Sequence, residues 1–159
     1  MALELSANNK EAENLRFKQY LLTLPGIDVD AIVHSLNDTI SRHIDCTACG
    51  NCCKSLMINV TEPEADVLAA HLQQTREGFD SQYLEKGSSM MVINAIPCAF
   101  LNENKCTVYE HRFSGCKEFP AMHLPHFNKR LFTTFMHYNR CPIIYNVVEA
   151  LKLETNFEK

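Results

Sequence analysis

Four cysteines fall within the eight residues CTACGNCC, Cys46 to Cys53, and the last two are adjacent. No other stretch restricts what the chain can fold into as strongly. The spacing Cys46-x2-Cys49-x2-Cys52 sets thiols one short turn apart. A curled loop can then aim them at one point, with backbone amides turned toward their charge. Zinc takes four such ligands in a tetrahedron, and iron–sulfur clusters also take four thiolates. The bacterial ferredoxin run C-x2-C-x2-C-x3-C-P would need cysteine at position 56, where Leu56 stands. The fourth cysteine is Cys53 instead. Adjacent residues project their side chains in different directions, so Cys52 and Cys53 are expected to serve two centres, or one of them to be a reactive thiol.

Four further cysteines read as a partner set. Cys98 and Cys106 flank CAFL-NENK-CTVY, two apolar arms around a polar turn, which reads as a hairpin that brings both sulfurs together. Cys116 follows ten residues on, and Cys141 precedes Pro142 at the entrance to a final helix. Eight ligands can build two four-thiolate sites, one four-iron cluster with four spare groups, or a two-metal site with shared sulfurs. A site able to react or exchange needs a ligand that lets go, and Cys53 and Cys141 are the candidates for that weaker role.

Eight cysteines could instead staple a secreted fold, so compartment matters. The opening MALELSANNKEAENLRF has neither the basic region nor the apolar run of a signal peptide. No segment approaches the roughly eighteen apolar residues of a membrane span. The expected location is therefore cytoplasmic, where disulfides rarely persist. The net charge of −4 carries no block of like charge, which argues against nucleic-acid or anionic-membrane partners. The partner implied is a metal ion, zinc or iron, the iron either alone or in an iron–sulfur cluster. Any protein partner is left open.

The rest of the chain reads as helices and short strands. Phe17, Tyr20, Leu21 and Leu24 share one helical face, and Pro25-Gly26 breaks the chain after them. A second helix starts near Asp28 and ends around His43, with Val29, Ile32, Val33, Leu36 and Ile40 as its stripe. Cys46 to Cys53 lacks periodicity and reads as a loop. SLMINV reads as a short strand. Thr61-Glu62-Pro63-Glu64 is a helix start with capping threonine and glutamate, leading into Ala65, Leu68, Ala69 and Leu72. Gly78 and Gly87 bracket a less regular stretch, and MMVINAI reads as a strand. HLPHFNKRLFTTFMHY, rich in aromatics and threonine, reads as a second hairpin turning near Asn128-Lys129. A closing helix buries Ile144, Val147, Val148 and Leu151, and the tail after Glu154 is expected to fray. The fold expected is α+β: a small, helix-rich single domain with short hairpins organised around a cysteine metal centre. Residues 1–45 would form a helical segment packed on a cysteine-cluster domain of residues 46–159.

The cysteine motifs resemble those of a known family. C-x2-C-G-x-C-C at Cys46 to Cys53 is followed by P-C-x-F-L at Pro97 to Leu101. C-x-V-Y-x-x-R at Cys106 to Arg112 and C-x-x-F-P at Cys116 to Pro120 complete the set. This ordered set resembles the CxxCxxCC cysteine-cluster family of bacterial proteins, described as zinc- or iron-chelating domains. The resemblance implies metal chelation through Cys46, Cys49, Cys52, Cys53, Cys98, Cys106, Cys116 and Cys141. A similar pattern occurs in flagellin lysine methylases, which implies, as an alternative, a metal-dependent enzyme or an accessory to protein side-chain modification. This chain has Arg112-Phe113 where the family usually has Arg-Pro.

Other functions fit less well. A thiol–disulfide redox protein would suit the Cys46–Cys49 gap, but such motifs open a helix in a βαβ unit and none is apparent. Whether the protein is an enzyme, and with which catalytic residues, stays open. His111, His123 and His126 read as surface imidazoles. Arg112 reads equally as a surface ion-pair residue or as a group that offsets thiolate charge. Tyr109, Phe100 and Phe119 read as apolar walls around the site.

Overall fold

Asp28 accepts a hydrogen bond from the Ala31 amide (3.1 Å) and so starts the helix Val29–Ser41, where the sequence places it. The computed structural model describes residues 7, 9–24 and 26–158. It divides into two compact units, Met1–Asp45 with Pro120–Lys159, and Cys46–Phe119.

In the first unit, Val29–Ser41 packs against the closing helix Pro142–Glu154. That helix buries Ile143, Ile144, Val147, Val148 and Leu151, which includes the stripe expected of it. The helix Glu11–Thr23 adds Phe17 and Leu21 to the same core. Lys152 is 1% exposed, and its ammonium donates to Glu13 (2.7 Å), Asn14 (2.7 Å) and Glu149 (2.6 Å). All three of its protons are therefore matched, which is what allows a lysine to be buried. Glu149 also accepts from Lys10 and from the Tyr138 hydroxyl. Burial works against its charge, but these donors hold its carboxyl at about 2.

Two expectations for this unit fail. The tail does not fray: the Tyr20 hydroxyl donates to the Thr155 carbonyl (2.6 Å), and the Phe157 ring lies 5.0 Å from that of Phe17. The second hairpin is not a hairpin. Phe127–Lys129 is a 3-10 turn and Leu131–Met136 a helix. Leu131, Thr134 and Tyr138 are buried at helical spacing, so packing overrides the strand preference of threonine and the aromatics. The turn is fixed from a distance. Asp30 accepts the amides of His126 (2.5 Å) and Phe127 (2.7 Å), and Arg130 donates to the Ala121 carbonyl (2.7 Å).

In the second unit, the strands β1 (Asn59–Val60), β2 (Leu84–Lys86) and β3 (Met91–Ile93) form an antiparallel sheet in the order β1-β3-β2. Asn59 pairs with Val92, and Leu84 with Ile93. The helix Glu62–His71 shares one core with this sheet through Ala65, Leu68 and Ala69, and its capping box is present as expected. The stretch around Gly78 is more regular than expected. Thr75 accepts from the Gly78 amide (3.1 Å) and opens the helix Arg76–Tyr83, inside which Arg76 pairs with Asp80 (2.7 Å). Val60, Ala65, Leu68, Phe79, Ile93, Phe100, Val108 and Phe113 are among the residues of its core. Phe113, the departure from the family's proline, is 3% exposed and fills part of that core. Among the described residues, no helix is long and apolar enough to cross a membrane.

Glu64 ties this unit together beyond its own helix. It accepts the Thr61 amide (2.9 Å) and hydroxyl (2.8 Å), and also the amide of Ser114 (2.6 Å), which opens the helix Ser114–Glu118 carrying Cys116. Burial opposes its charge, yet the Ser114 and Thr61 amides hold its carboxyl at about 2. A carboxyl held below its ordinary value of about 4.3 stabilises the fold above that pH and loses the contribution as pH falls toward the folded value. Glu64→Gln is therefore expected to cost about 1–2 kcal/mol near neutral pH. In thermal melts its gap from native should narrow between about pH 4.5 and pH 2.

Candidate metal centre

Cys46 to Cys53 is not a loop. It forms two short helices, Cys46–Cys49 and Asn51–Ser55, broken at Gly50, whose φ is 62°. Their periodicity is invisible in the sequence because neither helix has a buried residue of its own. What holds them is the hairpin expected between Cys98 and Val108. It is present as β4 (Leu101–Asn102) and β5 (Lys105–Cys106), with Leu101 opposite Cys106. Its two turn residues, Glu103 (φ 47°) and Asn104 (φ 67°), are both left-handed, the arrangement that two-residue hairpins favour. Cys46–Cys49 packs against β5, and the Cys98 amide donates to the Cys53 carbonyl (2.7 Å). A Cβ on Gly50 would stand 2.9 Å from the Asn104 carbonyl oxygen, so the hairpin tip rests on bare backbone.

Where these pieces meet, Cys52, Cys53, Cys98, Cys106 and Cys116 include thiols close enough to act on one another's ionisation. The Sγ atoms of Cys52 and Cys53 are 4.0 Å apart. Successive helical residues diverge by about 100° at the backbone, yet a rotation about χ1 moves a sulfur by about 3 Å, enough to bring neighbours together. The expectation that the two diverge is thus corrected. Sulfurs on one zinc ion stand about 3.8 Å apart, given Zn–S bonds of about 2.3 Å. Cys98 and Cys106 lie close enough to Cys53, and Cys98, Cys106 and Cys52 close enough to Cys116, for their charges to disfavour ionisation there. Cys98, Cys106 and Cys116 also pack against the core.

The thiols are strongly unequal. A hydrogen bond from the Cys53 thiol lowers Cys52 to about 6, with help from Arg112 and against the effect of burial. Cys53 is raised in turn, by that same bond, by burial and by its thiol neighbours. Burial, with the charges of Cys98, Cys52 and Cys106, pushes Cys116 up to about 12. Burial likewise raises Cys98. Because thiolates are the nucleophiles, iodoacetamide near pH 7 is expected to alkylate Cys52 of the metal-free protein well before Cys53 or Cys116. Peptide mass spectrometry over a short time course reads the order.

The other candidates are placed differently. Cys49 is half-buried and Cys46 exposed, on the helix beside β5. Cys141 lies in the first unit, 7% exposed, immediately before the closing helix. That burial runs against its expected role as the readily freed thiol. His123 and His126 are exposed, as surface imidazoles should be. His111 is exposed too, its ring centroid 3.8 Å from that of His71. Two contributors escaped sequence reading: Gly50 as the seat of the hairpin, and Glu64 as the anchor of the Cys116 helix. A glycine inside a cysteine run was the signal for the first; nothing local signals the second.

The donor set suits a soft or borderline metal, since thiolates select zinc and iron–sulfur clusters over magnesium or calcium. Among the described residues, no three Cys, His, Asp or Glu side chains are grouped so as to hold a metal ion. The five thiols that act on one another's ionisation supply the donor chemistry such a group needs. The family model described as "Putative zinc- or iron-chelating domain" matches residues 45–142, a span that includes all eight cysteines. The chain belongs to the CxxCxxCC family. Comparison with curated proteins and with solved structures gives no match. As a member of the CxxCxxCC family, the chain carries that family's cysteine-cluster domain.

Proposed function

We propose that this CxxCxxCC protein holds zinc or iron in a thiolate centre built by Cys52, Cys53, Cys98, Cys106 and Cys116, with Cys46 and Cys49 as further donors at its edge. The observation that carries the reading is that three segments far apart in sequence bring five thiols within electrostatic reach of one another. Ionising several of them together is costly, because each thiolate makes its neighbours harder to ionise. A cation reverses the penalty, since thiolates that repel one another are each attracted to it.

The chain's own residues divide the work. Gly50 and Asn104 fix the hairpin against the cysteine helices. Glu64 fixes the Cys116 helix. Phe100 and Phe113 shield one side from water. When bound, the group supplies Lewis acidity if it is zinc, or electron transfer if it is an iron–sulfur cluster. One tetrahedral ion uses four thiolates, so the donor set in this unit favours a second ion or a cluster.

Metal analysis of protein purified without air, native and with single serine substitutions, tests the reading. Native protein should carry zinc or iron, and a brown colour assigns it to iron. Cys98→Ser and Cys106→Ser should each lose metal, as should Cys52→Ser. If the two hairpin variants keep full metal while the early variants lose all of it, the hairpin is not part of the centre.

A second reading, a thiol redox protein, rests on the Cys52–Cys53 pair with its lowered Cys52 thiol. It would be favoured by metal-free native protein whose Cys52 and Cys53 oxidise together.

A further inference from the structure

Cys52 and Cys53 are the only adjacent cysteines in the chain, and the structure holds them as a fixed pair. Both lie on the helix Asn51–Ser55, and both are half-buried, which leaves their thiols within reach of a small reagent. The backbone is pinned at each of them. The Cys52 carbonyl accepts from the Leu56 amide (2.8 Å), and the Cys53 carbonyl accepts from the Cys98 amide (2.7 Å). Their sulfurs stand 4.0 Å apart. A disulfide needs about 2.05 Å, so direct closure would have to pull this pinned backbone out of shape. One soft atom set between the sulfurs asks for no such movement, since two sulfurs on a single ion stand about 3.8 Å apart. Among the described residues, no third Cys, His, Asp or Glu joins the pair in a group able to hold a metal ion. The geometry therefore suits a ligand that takes two thiols and no more.

We infer that Cys52 and Cys53 form a two-thiol site for a monosubstituted trivalent arsenical, a soft electrophile that gives up two positions to sulfur and keeps its bond to carbon. The arsenical R–As=O meets the two thiols. Two S–H bonds and the As=O bond break, two As–S bonds form, and the oxygen leaves with both protons as water. Arsenic stays trivalent, so the step needs neither oxidant nor reductant. Once the first As–S bond has formed, the second thiol already stands beside the arsenic, and closure is intramolecular. Linkage of this kind raises affinity by about two to four orders of magnitude over a single thiol. Zinc, by contrast, takes four donors and finds half a set in this pair. The inference goes beyond metal chelation and stands on the pair alone, without the other six cysteines.

Phenylarsine oxide is the probe, applied to the full-length protein kept reduced with a phosphine, both as purified and after chelation. Intact-mass spectrometry should show one phenylarsenic group per chain in at least one of the two forms. The adduct should survive excess mercaptoethanol and come off with the dithiol dimercaptopropanol, as a two-sulfur chelate does. Iodoacetamide added in urea should then label the remaining cysteines and spare both Cys52 and Cys53. Cys52→Ser and Cys53→Ser should each bind the probe about a hundredfold more weakly than native protein, and Cys46→Ser and Cys98→Ser should bind it as native does. If Cys52→Ser or Cys53→Ser binds as native, or if the spared thiols are Cys46 and Cys49, the inference is overturned while the thiolate centre stands. Uptake by neither form of the protein overturns it as well. The pattern of spared cysteines is read on the native chain, so it decides the matter even where a serine variant fails to fold. A chain without zinc or iron that still takes the arsenical on Cys52 and Cys53 would sink the metal reading and leave this one intact.

Discussion

Gly50→Ala is expected to strip the protein of most of its metal while leaving the sheet of the second unit folded. Two penalties add at this position. Gly50 has φ 62°, and an alanine held there costs about 1 kcal/mol. The new Cβ would also stand 2.9 Å from the Asn104 carbonyl oxygen, and a backbone atom cannot swing aside as a side chain can. The hairpin tip must lift, which draws Cys106 and Cys98 away from Cys52 and Cys53. A loss of about 2–3 kcal/mol is expected, which for a chain of this size lowers the melting temperature by about 5–10 °C. Metal content per chain should fall by more than half. Gly26, also at positive φ (73°) but with nothing within 4 Å of an added Cβ, supplies the control. Gly26→Ala should keep full metal.

Metal removal is expected to have an equally large but local effect. The helices Cys46–Cys49 and Asn51–Ser55 bury no residue, and helices of four and five residues do not persist in water unaided. By contrast, Phe79, Leu68 and Ala65 are fully buried in an apolar core. Chelation under reducing conditions should therefore speed amide exchange across residues 46–55 by at least tenfold. The amides of Met91, Val92 and Ile93 in β3 should stay protected. If β3 loses protection in step with the cysteine helices, the metal sustains the whole unit. If neither region changes, the group is an accessory to a fold complete without it.

How much of this was legible in the sequence depended on how local each cause was. The caps at Asp28 and Thr61, the break after Leu24, the hairpin around Asn104 and the closing helix are set by residues within a few positions, and all appear where the pattern places them. Leu131–Met136 was misread because its aromatics and threonine favour strands. Its helix is imposed by burial of Leu131 and Thr134 and by Asp30, some ninety-six residues away, gripping the His126 amide. The same holds within the site. The thiol spacing announced a metal centre, but the approach of Cys52 to Cys53 depends on side-chain rotation. The anchoring of the Cys116 helix depends on Glu64, fifty residues before Ser114. Neither leaves a mark in the local pattern.

The central claim is that sulfur alone surrounds the metal. X-ray absorption at the edge of whichever metal co-purifies with the protein measures this directly. The account predicts a first shell of sulfur at about 2.3 Å, with four sulfurs per metal and no nitrogen or oxygen neighbours at about 2.0–2.1 Å. A shell dominated by nitrogen or oxygen would contradict it. The metal would then be held away from the five thiols.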